Sequence, residues 1–483
     1  MNTWEKYCLF TELDTAGFLQ LQRELMMEQV EKLQRCEMGR HFLGHQKLSA
    51  LEDFLSIAPL TTYEDYVPFF GEKKDEYLPE KPRSWAFTAG KNGSPKWIPF
   101  TDRMYEELKK NAMACLHLSS MKTREDFNFN PGDVMFYAFA PPPYLTGYMA
   151  HAILNEFDFI FAPPVDEAET MDFKERLYKG FGMALKTGLN GFMGLSSVLL
   201  KMGEEFKEKF GILPREKWQV KGIVGYGLDS SIYAPQIRNF WGRTPLEVHA
   251  ASEVGIISTQ TMDRQGLTLF PNAAFYEFIP ERELHRERNN SYYRPKTKLI
   301  NEVIPGERYE LVLTSLLGGG LIRYRVGHLI KVLRLSSADG NIKLPQIAYE
   351  SRADDAIDLS GFTRMTERTI WQALVSSHIP FKHWGAVREH ENGKPVLHLL
   401  IEGSKTLADE DIADKIHLEL CRLDPFYADL ETMLDQYPLR VTLLESGAFK
   451  KCLSEMGVSD SIQLPRMKLN KALVKELTSV KVA

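Results

Sequence analysis

The chain has 483 residues, 44% of them hydrophobic, with a net charge of −6 and a pI near 6.1. That length and apolar content support a large core spread over more than one domain. The acidic balance argues against nucleic acid as a main partner, because phosphate binding needs a basic surface. The cysteines Cys8, Cys36, Cys115, Cys421 and Cys452 show no CxxC spacing. They are expected to be reduced thiols, neither a disulfide framework nor a zinc site. The opening MNTWEKYCLF is too polar for a signal peptide. No apolar run nears the ~20 residues of a membrane-spanning helix. The expectation is a soluble, cytoplasmic, multidomain protein with no membrane partner.

In chain order, Thr15–Phe42 carries apolar residues at helical spacing (Phe18, Leu21, Leu25, Met26, Val30, Leu33), which predicts one long amphipathic packing helix. Ala58–Phe70, APLTTYEDYVPFF, is a polar-aromatic entry segment. Then comes FTAGKNGSPKWIPFTD, Phe87–Asp102. Its glycines let the backbone turn tightly and face N–H groups to an anion. Thr and Ser hydroxyls add donors, and Lys96 adds a compact positive charge suited to phosphate. The spacing is not GxxxxGK[ST], and the same composition equally describes a surface turn between strands. Asp102 is expected to cap a helix running to about Ser119.

The middle of the chain alternates strands and helices. Strands are predicted at Val134–Ala140 (followed by PPPYLTGY), Phe157–Pro163, Trp218–Gly227 and in PLEVHAASE, which ends at Glu253. Helices are predicted over Met171–Gly182, Gly194–Phe210 and Ser231–Trp241. This alternation predicts an α/β fold with mostly parallel sheets and flanking helices, whose ligands sit outside the carboxyl ends of the strands. Tyr276–Val332 is richer in β-type runs and reads as a β-rich subdomain, with the charged Arg282–Arg294 as a solvated loop. The polar stretch Arg334–Asn341 is the candidate boundary. It leaves a core over residues 1–345 and a small α+β domain over 346–483, with strands near His383–Arg388 and Val396–Ile401 and helices near Asp409–Arg422 and Leu469–Thr478.

Certain motifs recur in a definite order: the Gly/Ser/Lys loop, HAASE (His249–Glu253), RYRVGH (Arg323–His328), ESRADDAIDLSGF (Glu350–Phe362) and LPRMKLNK (Leu464–Lys471). The ordered set resembles the superfamily of acyl-CoA synthetases, peptide-synthetase adenylation domains and luciferases. YEFIPERE (Tyr276–Glu283), PGERYELVLTS (Pro305–Ser315), LIRYRVG and TTYEDYVPF are similar to the Gretchen Hagen 3 family of acyl-acid amido synthetases. The resemblance covers most of the chain. It implies that a carboxylate attacks the α-phosphate of ATP to give an acyl adenylate and pyrophosphate, and that an amine then displaces AMP to form an amide. The partners would be a small-molecule carboxylic acid and an amine. One alternative is a thioester-forming ligase that uses coenzyme A or a carrier protein. The other is a degenerate member that binds an acyl ligand or a partner protein without catalysis.

The resemblance also implies roles by position. Thr88, Gly90, Asn92, Gly93 and Lys96 would hold the phosphates of ATP, and Glu253 would hold Mg²⁺ through a hard carboxylate oxygen. His249, Ala250 and Ser252 would line the nucleotide site, Gly225 and Tyr226 would lie near adenine, and Arg352 would meet the ribose. Tyr144, Gly147 and Gly227 would belong to the acyl pocket. Lys471 would bridge the carboxylate and the α-phosphate, with Lys96 as the second catalytic lysine. Plainer readings stay open: a solvated strand-end carboxylate for Glu253, a salt bridge to Asp354 or Asp355 for Arg352, and a solvated lysine for Lys471. Two departures stand out. His328 occupies the position of a ribose-binding aspartate, and a neutral imidazole offers one acceptor site against about four on a carboxylate. Losing that charge-assisted bond would cost ~1.5–3 kcal/mol of nucleotide affinity. Gln463 replaces a lysine of the Gretchen Hagen pattern, and Asn470 replaces the glycine of LPRxxxGK, where it is expected to adopt the left-handed backbone. Asp354–Asp358 would be the hinge about which the small domain rotates between half-reactions.

Overall fold

The computed structural model describes all residues except 1, 90–94, 125, 227–229, 291, 353–355, 360–362, 392–393, 404–408, 425–426, 429–436, 456–465 and 480–483. The chain divides into two compact units, Met1–Tyr349 and Glu350–Ala483. The polar stretch Arg334–Asn341 is a turn inside the first unit.

The first unit is built on β1 (Ser84–Ala89), β2 (Pro95–Phe100), β3 (Val134–Phe136), β4 (Ile160–Ala162), β5 (Gly191–Leu195), β6 (Gly222–Tyr226), β7 (Leu246–Ala251), β8 (Gly255–Gln260), β9 (Leu267–Leu269), β10 (Ala274–Pro280), β11 (Arg308–Ser315), β12 (Tyr324–Arg334) and β13 (Gln346–Arg352). β1 and β2 form a separate antiparallel hairpin, and the rest make one 11-stranded sheet in the order β10-β11-β12-β13-β9-β8-β7-β6-β5-β3-β4. Pairing is parallel from β4 through β3, β5 and β6 to β7, and antiparallel from β7 to β8 and β9. The β-rich section is therefore the antiparallel half of the same sheet. The parallel strands are buried on both faces, which is why they read as unbroken apolar runs.

Several sequence expectations are corrected in detail. The long N-terminal helix is two helices, Thr15–Arg35 and Glu37–Leu43, broken at Cys36, whose backbone is extended and whose sulfur accepts from the Gly39 amide. Gly39 is required there, since a Cβ would fall 1.9 Å from the Leu33 carbonyl oxygen. The helix Asp102–Ser120 is capped by Thr101, whose hydroxyl accepts from the Met104 amide at 3.1 Å, while Asp102 is its first residue. Most of the charged Arg282–Arg294 stretch is a helix, Glu281–Asn289, because Glu283 turns inward to accept from the Tyr293 hydroxyl and the Lys296 amide. The expected strands of the parallel half are cut to their ladder-forming cores, those expected at His383–Arg388 and Val396–Ile401 are longer, and Gly194 belongs to β5, with the following helix at Ser196–Phe210.

Helix Thr15–Arg35 is tied to the sheet by buried amides. Gln22 donates to the Ala274 carbonyl and accepts from the Tyr276 amide, and Gln29 accepts from Gly318 and donates to Gly319. The second unit holds β14 (Ile357–Leu359), β15 (Thr363–Met365), β16 (His383–Glu391), β17 (Lys394–Glu402) and β18 (Leu439–Leu444), with β16 antiparallel and β18 parallel to β17. Helices Glu367–Ser376, Asp409–Leu423, Ala448–Glu455 and Lys471–Ser479 accompany them.

Candidate active site at the carboxyl ends of the parallel strands

β7 runs Leu246–Ala251 and delivers His249, Ala250, Ser252 and Glu253 to the end of the parallel half. A bulge between His249 and Ala250 breaks the register with β8, the device by which a strand re-aims side chains near its end. His249 is buried, and its Nε2 lies 2.8 Å from Nδ1 of His328 on β12. Tyr349 completes an aromatic trio, its ring 5.0 Å from that of His249 and 5.3 Å from that of His328. Burial pushes the His249 pKa down to about 4, so this imidazole is neutral at pH 7.

The tautomer follows from hydrogen-bond satisfaction. Nδ1 of His249 is buried and unpartnered. An orphaned N–H there would cost about 1–3 kcal/mol, so Nδ1 carries the lone pair and Nε2–H donates to His328.

Glu253 is 9% exposed, and the Tyr324 hydroxyl, on the same strand as His328, lies 3.4 Å from its Oε1. Burial and the Glu253 charge both raise the Tyr324 pKa. The same charge adds to burial in raising that of Tyr63. Tyr63 joins this corner to the β1–β2 hairpin: its hydroxyl accepts from the Trp97 amide at 2.7 Å, and Lys96 Nζ sits 5.1 Å from its ring centre. Lys96 stands directly opposite Thr88 in the hairpin register. Gly90, Asn92, Gly93 and Gly227 lie outside the described residues, as do Asp354 and Asp355. Among the described residues no cluster of three or more His, Cys, Asp or Glu is arranged for a metal. Mg²⁺ needs no such cage, since it keeps waters and substrate phosphates and takes one or two carboxylates. A buried, hard carboxylate such as Glu253 fits that role.

The other sequence candidates are placed as follows. Gly225 and Tyr226 end β6, with Gly225 facing Gly194 of β5, and Tyr226 is buried. Gly147 lies in the helix Leu145–Glu156, where a Cβ would meet Pro142 at 2.3 Å, so its bareness lets the helix turn tightly off the proline run. Tyr144, just before that helix, is 39% exposed. Arg352 is the last residue of β13. Lys471 is exposed at the start of helix Lys471–Ser479. Asn470 does not take the left-handed backbone. Its Oδ1 accepts from the Leu473 amide at 2.8 Å and caps that helix, while the positive φ of 52° falls on Lys468. Sequence reasoning missed Tyr63, Tyr324 and Tyr349. Only Tyr324 carried a signal, since it shares a strand face with His328 at even spacing.

Arg323 and Arg325 of RYRVGH are structural. Arg323 makes a bidentate pair with Glu277, which is fully buried and also accepts from Thr297. Arg325 pairs with Glu310 at 2.7 Å and with Glu287.

Models of the GH3 family N-terminal domain and the GH3 family central domain match residues 10–186 and 267–352, together more than half of the chain. An indole-3-acetic acid-amido synthetase GH3.3 of Arabidopsis thaliana is 31% identical over 108 residues, a stretch that spans 21% of this chain and 16% of that relative. The structure of the AtGH3.15 acyl acid amido synthetase in complex with 2,4-DB superposes with a TM-score of 0.72 at 14% identity, covering 96% of this chain and 94% of that one. A 2-hydroxyisobutyryl-CoA ligase in the postadenylation state gives 0.64 at 16% identity, over 99% and 94%. At these identities the solved structures establish a shared fold.

Proposed function

The chain belongs to the GH3 family, and on that premise we propose that it is an ATP-dependent, Mg²⁺-requiring, cytoplasmic ligase that adenylates a small carboxylic acid and transfers the acyl group to an amine. The amido synthetases named among its relatives support amide over thioester as the product. In the first step a substrate carboxylate oxygen attacks the α-phosphorus of ATP and the bond to the β-phosphate oxygen breaks, releasing pyrophosphate. In the second the amine nitrogen attacks the acyl carbon, the bond to AMP breaks, and the amine loses a proton.

The observation that carries the reading is Glu253, a buried carboxylate at the end of β7, beside the Tyr324 hydroxyl, whose charge reaches Tyr63, the ring beside Lys96. Glu253 would supply the protein ligand to Mg²⁺, which when bound neutralises charge on the phosphates. Lys96 and Thr88, facing each other across the hairpin, would orient the phosphates. His249 and His328 would flank the nucleoside. No described helix is long and apolar enough to cross a membrane. The smaller unit would rotate about 354–358 to bring Lys471 to the reacting groups and withdraw it afterwards.

The test is acid-dependent release of pyrophosphate from ATP across a panel of aliphatic, aromatic and indolic acids, followed by product analysis with amino acids and coenzyme A. Amide products with no thioester are expected. Pyrophosphate release with no acid of the panel, together with no ATP binding by calorimetry, would refute the enzyme and leave a binding protein.

A further inference from the structure

Tyr63 stands between Glu253 and Lys96, and a short path of contacts runs from one to the other through it. Tyr63 opens a 3₁₀ turn over Tyr63–Tyr66. Two residues earlier, Thr61 is fastened to β12. It forms a parallel bridge with Tyr324, its amide donates to the Arg323 carbonyl at 3.0 Å, and its carbonyl accepts from the Arg325 amide at 2.8 Å. Tyr324 is the residue whose hydroxyl meets Glu253. On the other side, the Tyr63 hydroxyl closes on both backbone groups of Trp97 in β2, accepting from the amide at 2.7 Å and donating to the carbonyl at 3.3 Å. Burial raises the phenol pKa, so the hydroxyl keeps the proton that the second bond needs.

β2 pairs with β1 alone, so the hairpin takes its place on the molecule from contacts outside its own ladder. At the Ser84–Phe100 end Trp85 makes such contacts: its Nε1 donates to Asp75 at 3.0 Å, and its ring meets that of Phe70. Toward the Ala89–Pro95 end, where Lys96 stands opposite Thr88, Tyr63 does the same. Its ring also lies beside the Lys96 ammonium, within the ~6 Å range of a cation–π contact. The path therefore runs Glu253, Tyr324, Thr61, Tyr63, Trp97, Lys96, with a hydrogen bond or a strand pairing at each non-covalent step. All of it lies in the first unit.

We propose that Tyr63 is a positioning residue for the triphosphate of ATP: it holds Lys96 in a fixed place relative to Glu253, so that the lysine and the metal-binding carboxylate meet the β- and γ-phosphates together. Tyr63 acts through β2 and Lys96, with no contact of its own to the nucleotide. This role rests on the ligase reading for what Lys96 and Glu253 hold. A group already held in its bound position adds affinity by sparing the cost of ordering it. AMP lacks the two outer phosphates and gains nothing from that spacing, which separates positioning from support of the fold.

The experiment is calorimetry with ATP and with AMP, each with Mg²⁺, on wild type, Tyr63→Phe, Tyr63→Leu, Lys96→Ala and the double variant Tyr63→Leu/Lys96→Ala. Tyr63→Phe keeps the ring and loses the bonds to Trp97, and should weaken ATP about threefold. Tyr63→Leu loses the ring as well and should weaken ATP about tenfold. AMP binding should be unchanged by either. With Lys96 already alanine, Tyr63→Leu should cost no further ATP affinity, the non-additivity expected of residues that act as one. Equal losses for ATP and AMP, a loss that persists in full beside Lys96→Ala, or no loss at all would overturn the proposal with the ligase reading intact. No ATP binding by wild type would overturn both. Amide exchange reads the tie without nucleotide and without Tyr63→Leu having to fold. In Tyr63→Phe the Trp97 amide should exchange about tenfold faster than in wild type, and exchange as slow as in wild type would overturn the role.

Discussion

Replacing His249 by phenylalanine should flatten the acid limb of the stability curve. Burial holds the His249 pKa at about 4, against an ordinary value of 6.5. Between those values an unfolded chain binds a proton on this ring that the folded chain does not. Stability therefore rises with pH across that window, is fully present above about 6.5, and is lost as pH falls toward 4. The full displacement corresponds to about 3 kcal/mol, at 1.36 kcal/mol per unit, of which roughly 2 kcal/mol is lost by pH 5. Phenylalanine keeps the packing against Tyr349 and cannot titrate. It also gives up the hydrogen bond to His328, an offset of about 1 kcal/mol that does not vary with this proton. Urea unfolding of both proteins from pH 4.5 to 7.5, followed by tryptophan fluorescence, should show the gap between them shrinking or reversing as pH falls. Parallel curves would refute the reasoning. A gap that widens in acid would mean that the two imidazoles bind an added proton between them, the opposite sign of linkage.

Glu277→Gln leaves the Arg323 guanidinium buried without its counter-charge. It should cost about 3–5 kcal/mol, read as a large fall in melting temperature; a loss under 1 kcal/mol would show that Thr297 and the Leu55 and Ala58 carbonyls suffice. Glu253→Gln should lower Mg²⁺-dependent pyrophosphate release at least tenfold with the fold intact by circular dichroism, and near-normal turnover would remove the metal role. Lys471→Ala should slow adenylation more than acyl transfer from preformed adenylate, and equal slowing of both half-reactions would defeat its assignment. Thr101→Ala removes the cap of helix Asp102–Ser120 and should cost about 1 kcal/mol in urea unfolding, an effect that Asp102→Ala should not reproduce.

The parallel half of the sheet was legible because strands covered on both faces must be apolar throughout, and Val134–Glu253 is written that way. Their lengths were not. Val134–Ala140 is uniformly apolar, yet only Val134–Phe136 is ladder. Tyr137 and Phe139 are buried by side-chain packing beyond the strand, and composition does not distinguish the two kinds of burial. The break at Cys36 was hidden for another reason: the glycine it requires, Gly39, lies three residues on inside the next helix, and a thiol is an uncommon cap. The helix Glu281–Asn289 was hidden because charge density suggests solvent, whereas one inward carboxylate, Glu283, anchors it.

The site was legible in a more particular sense. The runs that most resemble a known family, YEFIPERE, GERYELVLTS and LIRYRVG, owe their charged letters to one another: Glu277 serves Arg323, and Glu310 serves Arg325. TTYEDYVPF belongs to the same frame. The Thr61 backbone bridges Arg323 and Arg325, and the Tyr66 hydroxyl bonds to both backbone groups of Ile322. Buried ion pairs need complementary partners on separate strands, so each constrains two stretches of sequence at once and leaves a pattern that survives divergence. A group that works on a ligand has no such partner inside the chain. The most recognisable charges here are therefore the ones the fold consumes, and candidates for chemistry are better sought among buried polar groups that the fold leaves unsatisfied.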